Sequence, residues 1–124
     1  MKHTHKQPLV RSFGYAFKGI ARTIRTERNM QIHCCAAVLV VLFGALLHIS
    51  RTEWMICLLL FGLVMGLELV NTAIEAVVDL VSPEKHPLAE KAKDAAAGAV
   101  LAAAIMAAVI GLGIFIPKLW QLIA

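Results

Sequence analysis

The chain has 124 residues, of which 60% are hydrophobic and 16% charged, with a mean hydropathy of +0.77; it is too short for several domains and too apolar for an ordinary soluble one. Twelve Lys and Arg against eight Asp and Glu leave a formal +4 and a pI near 9.2, a balance that suits nucleic acid or an anionic membrane surface, and the apolar content decides for the membrane over a nucleic-acid partner. Three cysteines, Cys34, Cys35 and Cys57, lie in apolar runs without metal-ligand spacing, so they read as small packing side chains and neither a disulfide framework nor a zinc site is expected.

Chain order begins with roughly thirty polar or amphipathic residues, where a secretory signal would place a short apolar stretch behind its first cations, so no cleavage is expected. Within residues 8–28, Phe13, Phe17, Ile20 and Ile24 stand at i, i+4, i+7 and i+11, with Arg11, Lys18, Arg22 and Arg25 opposite. That spacing predicts a basic amphipathic helix lying in the membrane interface, its apolar stripe among acyl chains and its cations toward anionic headgroups. The uncharged run from Cys34 to Leu47, extended by Met30, Ile32, His48 and Ile49, predicts a first membrane span over 30–49. A polar connection, Ser50 to Glu53, and the interfacial Trp54 open a second span, predicted over 54–80 and halted at Ser82-Pro83. Pro87 opens a helix whose charged first turns (Glu90, Lys91, Lys93, Asp94) lead into 22 uncharged residues from Ala95 to Ile116. The third span is placed at 88–116, with Pro117 as its stop.

Ten of the twelve Lys and Arg precede residue 29 or fall between Ser82 and Asp94, which leaves Arg51 and Lys118 on the other side. By the accumulation of cations on the inner face, the N-terminus and the second loop are cytoplasmic and the C-terminus is outside.

The chemistry-bearing stretch is Glu68-x-x-Asn71-x-x-x-Glu75-x-x-x-Asp79, whose four side chains fall within an arc of roughly 80° on one helix face. Ionisable groups at membrane depth cost at least ~2.5 kcal/mol each, so this stripe points to a functional site. Counted at ~1.5 Å per residue from Trp54, Glu68 lies ~21 Å along the helix, within a ~30 Å hydrocarbon layer, while Glu75 at ~32 Å reaches the inner interface. Asp79 lies beyond it, solvated or paired with Lys85. Across the loop, Lys93 and Asp94 are positioned to face the same carboxylates, and His86 sits in the connection. Lys neutralises phosphate charge, carboxylates hold Mg²⁺, and a buried Glu can take a proton from an alcohol, which together are the parts of phosphoryl transfer. Neither Gly-rich phosphate cradle, G-x-x-x-x-G-K-[ST] or G-x-G-x-x-G, is present.

ELVNTAIEAVVDL followed by HPLAEKAKDAAAGAVL resembles the signature of the small bacterial membrane lipid kinases, the diacylglycerol kinase and undecaprenol kinase family, over nearly the whole chain. SFGYAFKGI followed by TERNMQIH resembles the undecaprenol kinase branch of Gram-positive bacteria, since the diacylglycerol branch tends to carry a second Glu where His33 stands. The resemblance implies one lipid kinase domain over 1–124, an all-α homotrimer of three-span subunits each preceded by a surface helix, using ATP and Mg²⁺ at sites shared between neighbours. It implies Glu68 as general base, Glu27 and Glu75 as the pair binding Mg²⁺ on ATP, and Asn71 as orienting the transfer site. Glu84, Lys85 and His86 match a nucleotide-contacting loop, Lys93 and Asp94 a later ATP-contacting pair, and Tyr15 an aromatic beside the nucleotide. One departure is Pro8, where diacylglycerol kinases carry an Arg; Arg11, about one helical turn on, is the available substitute. Gly62-x-x-x-Gly66 and the alanine-rich AAAGAVLAAA are compatible with close helix packing between subunits.

The expected activity is phosphorylation of undecaprenol to undecaprenyl phosphate, with diacylglycerol as the rival acceptor. From another class, a small proton-coupled transporter would use Glu68 alone, and a packing or regulatory subunit would leave Glu68 and Glu75 without a task.

Overall fold

The computed structural model describes residues 8–124 and places four helices in chain order: α1 (Leu9–Thr26), α2 (Arg28–Leu46), α3 (Arg51–Val81) and α4 (Pro87–Ile123). Lys2 and Lys6, which enter the charge distribution above, lie outside the described residues. The last three helices are long and apolar enough to cross a membrane. α3 packs most extensively on α4 and next on α2, and α1 rests against α2 and α3.

A single extended residue, Glu27 (φ −100°, ψ 117°), separates α1 from α2. Its N–H still donates to the Thr23 carbonyl at 2.9 Å, and its own carbonyl accepts from Gln31 at 3.1 Å, so the bend keeps its backbone groups paired. The Gln31 amide reaches back to the carbonyls of Ile24 and Arg25, both at 3.1 Å, and holds the end of α1 to the start of α2.

The α2–α3 connection is short and tightly packed. His48 takes a left-handed conformation (φ 54°) and the Ile49 N–H returns to the Gly44 carbonyl at 3.1 Å, closing α2 with a Schellman-type bond. A Cβ on Gly44 would lie 2.7 Å from Trp54 Cη2 and 3.0 Å from Ile49 Cδ1, so only glycine admits this approach. Ser50 and Glu53 form a reciprocal capping box at the start of α3. Ile49, Cys57 and Ile114 form the buried cluster at this end, backed by Val40, Trp54, Phe61, Ile110 and Phe115.

α3 runs to Val81 and ends against Ser82-Pro83. Pro87 occupies the first turn of α4, where its missing N–H costs nothing, and the His86 imidazole caps the helix by accepting the Leu88 N–H at 3.1 Å.

At the far end the expected stop at Pro117 is overturned, because α4 continues through it to Ile123. A proline removes one intrahelical bond, but in an apolar layer the flanking backbone groups have no water to turn to, so the helix persists on both sides of it; the next residue, Lys118, has its Nζ 3.2 Å from Glu53 Oε1 at the start of α3.

Candidate active site

α3 carries Glu68, Asn71, Glu75 and Asp79 as an unbroken helix, and their exposure rises in that order. Glu68 is 1% exposed and Asn71 5%, Glu75 is half-buried and Asp79 exposed. Asn71 Nδ2 donates to Glu75 Oε1 at 3.1 Å, one helical turn on, which orients both side chains. The Thr72 hydroxyl is engaged with the Glu68 backbone carbonyl at 3.0 Å and leaves the Glu68 side chain alone.

Two atoms of this stripe, Glu68 Oε2 and Asn71 Oδ1, are buried and accept no hydrogen bond from the described residues. An orphaned buried acceptor costs about 1–3 kcal/mol, so each of these atoms leaves a hydrogen-bonding position open toward a group outside the described residues. The nearest charge-capable group is His33 on α2, whose Nε2 stands 3.7 Å from Glu68 Oε2. Sequence reasoning noted His33 only for its type. Its pairing with Glu68 crosses from one helix to another, and no spacing along the chain announces such a contact.

At the more exposed end, Lys93 of α4 meets Asp79 of α3 with Nζ 2.5 Å from Oδ1. The Asp79 partner is therefore Lys93 and not Lys85. The two residues border a recess of about 230 Å³ that also collects Glu84, Lys85 and His86 from the α3–α4 loop, together with Glu90 of α4. One turn of α3 separates Asp79 from Glu75, so the recess adjoins the stripe. Asp94 follows Lys93 on an exposed turn of α4.

Glu27 is half-buried at the α1–α2 bend and makes no capping hydrogen bond with its side chain. Tyr15 is half-buried on α1, and Pro8 and Arg11 are exposed at its start. Among the described residues no group of three or more His, Cys, Asp and Glu gathers to hold a metal.

Beneath His33 lies a second space of about 430 Å³, bounded by α2, α3 and α4. Its wall is almost wholly apolar: Val40, Cys57, Phe61, Val64 and Ala108 are typical.

Along α3 and the start of α4 the chain thus presents a deep carboxylate with an open acceptor position, an amide-steadied carboxylate one turn on from Asn71, and a Lys-bearing polar recess at the exposed end. Residues 14–115 match the family model described as prokaryotic diacylglycerol kinase. The chain belongs to this family. Among its relatives are an undecaprenol kinase of Bacillus subtilis (strain 168), 54% identical over 109 residues that cover 88% of this chain and 89% of the relative. A diacylglycerol kinase of Synechocystis sp. is 45% identical over 115 residues, 92% of this chain and 66% of that longer protein. A diacylglycerol kinase of Escherichia coli (strain K12) is 33% identical over 101 residues, covering 82% and 83%. The chain is thus a lipid kinase, and the family implies ATP as phosphate donor. Nothing in these comparisons supports the proton-coupled transporter.

Proposed function

We propose that this lipid kinase transfers the terminal phosphoryl group of ATP to the hydroxyl of undecaprenol, giving undecaprenyl phosphate, in a bacterial cytoplasmic membrane. The observation that carries the reading is Glu68, fully buried with Oε2 open to a donor, at the depth where a lipid alcohol can present its O–H. The hydroxyl oxygen forms the new P–O bond, the bond to the departing ADP breaks, and the hydroxyl proton passes to Glu68. Asn71 steadies Glu75, and Lys93 with the loop Glu84, Lys85 and His86 receives the nucleotide above, Asp94 and Tyr15 contributing contacts.

Glu27 and Glu75 are the residues to hold Mg²⁺. Their chemistry is that of ligands for a hard cation, carboxylate oxygens, and since no three-member ligand group gathers within the chain among the described residues, the ATP phosphates and water would have to complete the shell. Bound there, the metal neutralises charge on the transferring phosphoryl group.

α1 lies in the interface on this reading, supported by the outward exposure of Phe13, Phe17, Ile20 and Ile24. The inner-face placement of the N-terminus and the α3–α4 loop, with the C-terminus outside, follows from the ten cations on that side. Residues 1–124 act as one domain, and subunits assemble as a homotrimer. Gly62 and Gly66, one turn apart on α3 with open space beside each, are compatible with close approach of a neighbouring copy.

The acceptor assignment rests on the greater likeness to the Bacillus subtilis undecaprenol kinase. The diacylglycerol kinases among the relatives keep diacylglycerol as the second reading. Purified protein assayed side by side on the two lipids, in one detergent with Mg-ATP, is expected to show a higher kcat/KM for undecaprenol. Equal or reversed values would move the protein to diacylglycerol and leave the transfer chemistry standing.

A further inference from the structure

Glu68 as a base creates a difficulty that its own surroundings do not solve. After each transfer the carboxyl group holds a proton at a site 1% exposed to solvent. It must lose that proton before it can accept another. The Thr72 hydroxyl is bound to a backbone carbonyl, and the Asn71 amide is turned toward Glu75. Among the described residues the remaining candidate is His33, with Nε2 3.7 Å from Glu68 Oε2. That oxygen is the one without a hydrogen-bond partner.

His33 has the position a relay needs. Its side chain is less enclosed by the chain than that of Glu68, 19% exposed against 2%. It lies five residues beyond Arg28, the first residue of α2, or about 8 Å along the helix axis. Gln31 and the Glu27 bend are close by on the same polar end. Imidazole is also the side chain that can take a proton on one nitrogen while releasing one from the other.

We propose that His33 is the proton relay that resets Glu68 between turnovers. The proposal rests on the reading of Glu68 as the base. In the reset, the Glu68 O–H bond breaks and its proton bonds to His33 Nε2; the Nδ1 proton leaves to solvent water, and rotation or exchange restores the starting tautomer. No electrons are transferred, and water is the final acceptor. The 3.7 Å gap closes to the 2.6–3.2 Å of direct transfer by a small side-chain rotation, or is spanned by one water.

The test separates the first turnover from later ones. Purified protein in detergent with undecaprenol and excess radiolabelled Mg-ATP is mixed rapidly and quenched. His33→Gln is expected to make its first phospholipid per site at close to the unmutated rate and then to slow in the steady state by at least about tenfold. The burst also counts intact sites, so a misfolded variant cannot imitate the result. His33→Ala opens space beside the 430 Å³ cavity that His33 lines, and added imidazole is expected to restore its steady-state rate in proportion to concentration. An unslowed steady state in His33→Gln, a first turnover slowed as much as the rest, or no response of His33→Ala to imidazole would overturn the relay. Glu68→Gln run alongside tells the two ideas apart. A normal first turnover in that variant removes the base itself, whereas a lost first turnover with an unslowed His33→Gln removes the relay alone.

Discussion

Glu68→Gln is a substitution whose effects on activity and stability are expected to have opposite signs. The two side chains have nearly the same volume and shape, so the close packing around a residue 1% exposed is preserved. What changes is the ability to accept a proton. General-base catalysis is worth about 10²–10⁴ in rate, and at 1.36 kcal/mol per decade its loss raises the barrier by about 3–5.5 kcal/mol. Burial puts the expected loss in the upper part of that range, because bulk water cannot reach the site to act as a substitute base. Folding moves the other way. A buried carboxyl oxygen without a hydrogen-bond partner is costly to keep, while the amide's new N–H donor lies near His33 Nε2, itself able to accept. The variant should therefore resist thermal or denaturant unfolding at least as well as the unmutated protein, and should retain ATP binding, since the recess proposed for the nucleotide lies at the exposed end of the stripe. Single-turnover phosphorylation, ATP titration and an unfolding curve on one preparation give all three readings. A transfer rate within tenfold of the unmutated protein, with chemistry limiting, would refute the base; a marked loss of stability would make Glu68 a structural residue.

Other perturbations test the rest of the site and its frame. Glu27→Ala and Glu75→Ala are each expected to weaken Mg-ATP binding by about tenfold or more, the worth of one charge-assisted contact; unchanged Mg-ATP titrations in both would misplace the metal. Lys93→Ala should raise the KM for ATP while changing unfolding stability by less than about 1 kcal/mol, because its ion pair with Asp79 is largely exposed; an unaltered KM would remove Lys93 from nucleotide binding. Gly44→Ala drives a Cβ to within 2.7 Å of Trp54 and should destabilise by about 1–3 kcal/mol, as overpacking does, with catalysis in the surviving folded fraction intact; a stability equal to the unmutated protein would show that Trp54 moves aside freely.

The parts of this molecule legible in its sequence are those governed by local periodicity. Hydrophobic runs separated by Ser50–Glu53 and by Ser82-Pro83 delimit three long helices, and the helical repeat puts Glu68, Asn71, Glu75 and Asp79 on one face without reference to any neighbour. The features that escaped depend on how helices pack and on the layer around them. His33 finds Glu68 only because α2 lies against α3. Asp79 chooses Lys93 over Lys85 because the first turns of α4 fold back along the end of α3, while Lys85 belongs to the loop between them. Pro117 does not stop α4: a proline lowers the local preference for helix, but a segment in an apolar layer cannot leave its backbone groups unpaired, and that environment outweighs the local preference.

The order of groups along α3 answers a problem that any kinase acting on a membrane alcohol faces. The acceptor chain cannot leave the apolar layer without exposing its hydrocarbon, at about 0.8 kcal/mol per CH₂. The nucleotide cannot enter it without stripping water from its phosphates, which costs far more. Neither substrate can go to the other, so the protein must hold reactive groups at graded depth on something stiff. An unbroken helix does this directly. From Glu68 to Asp79 the backbone rises about 16 Å, and over that length exposure climbs from 1% at Glu68 to the open surface. A loop or a jointed pair of helices carrying the same residues would have to be ordered again for each turnover. The break in this chain falls instead at Glu27, between α1 and α2, so α3 keeps Glu68, Asn71, Glu75 and Asp79 at fixed spacing, while Glu27 approaches that stripe from a bend outside the helix.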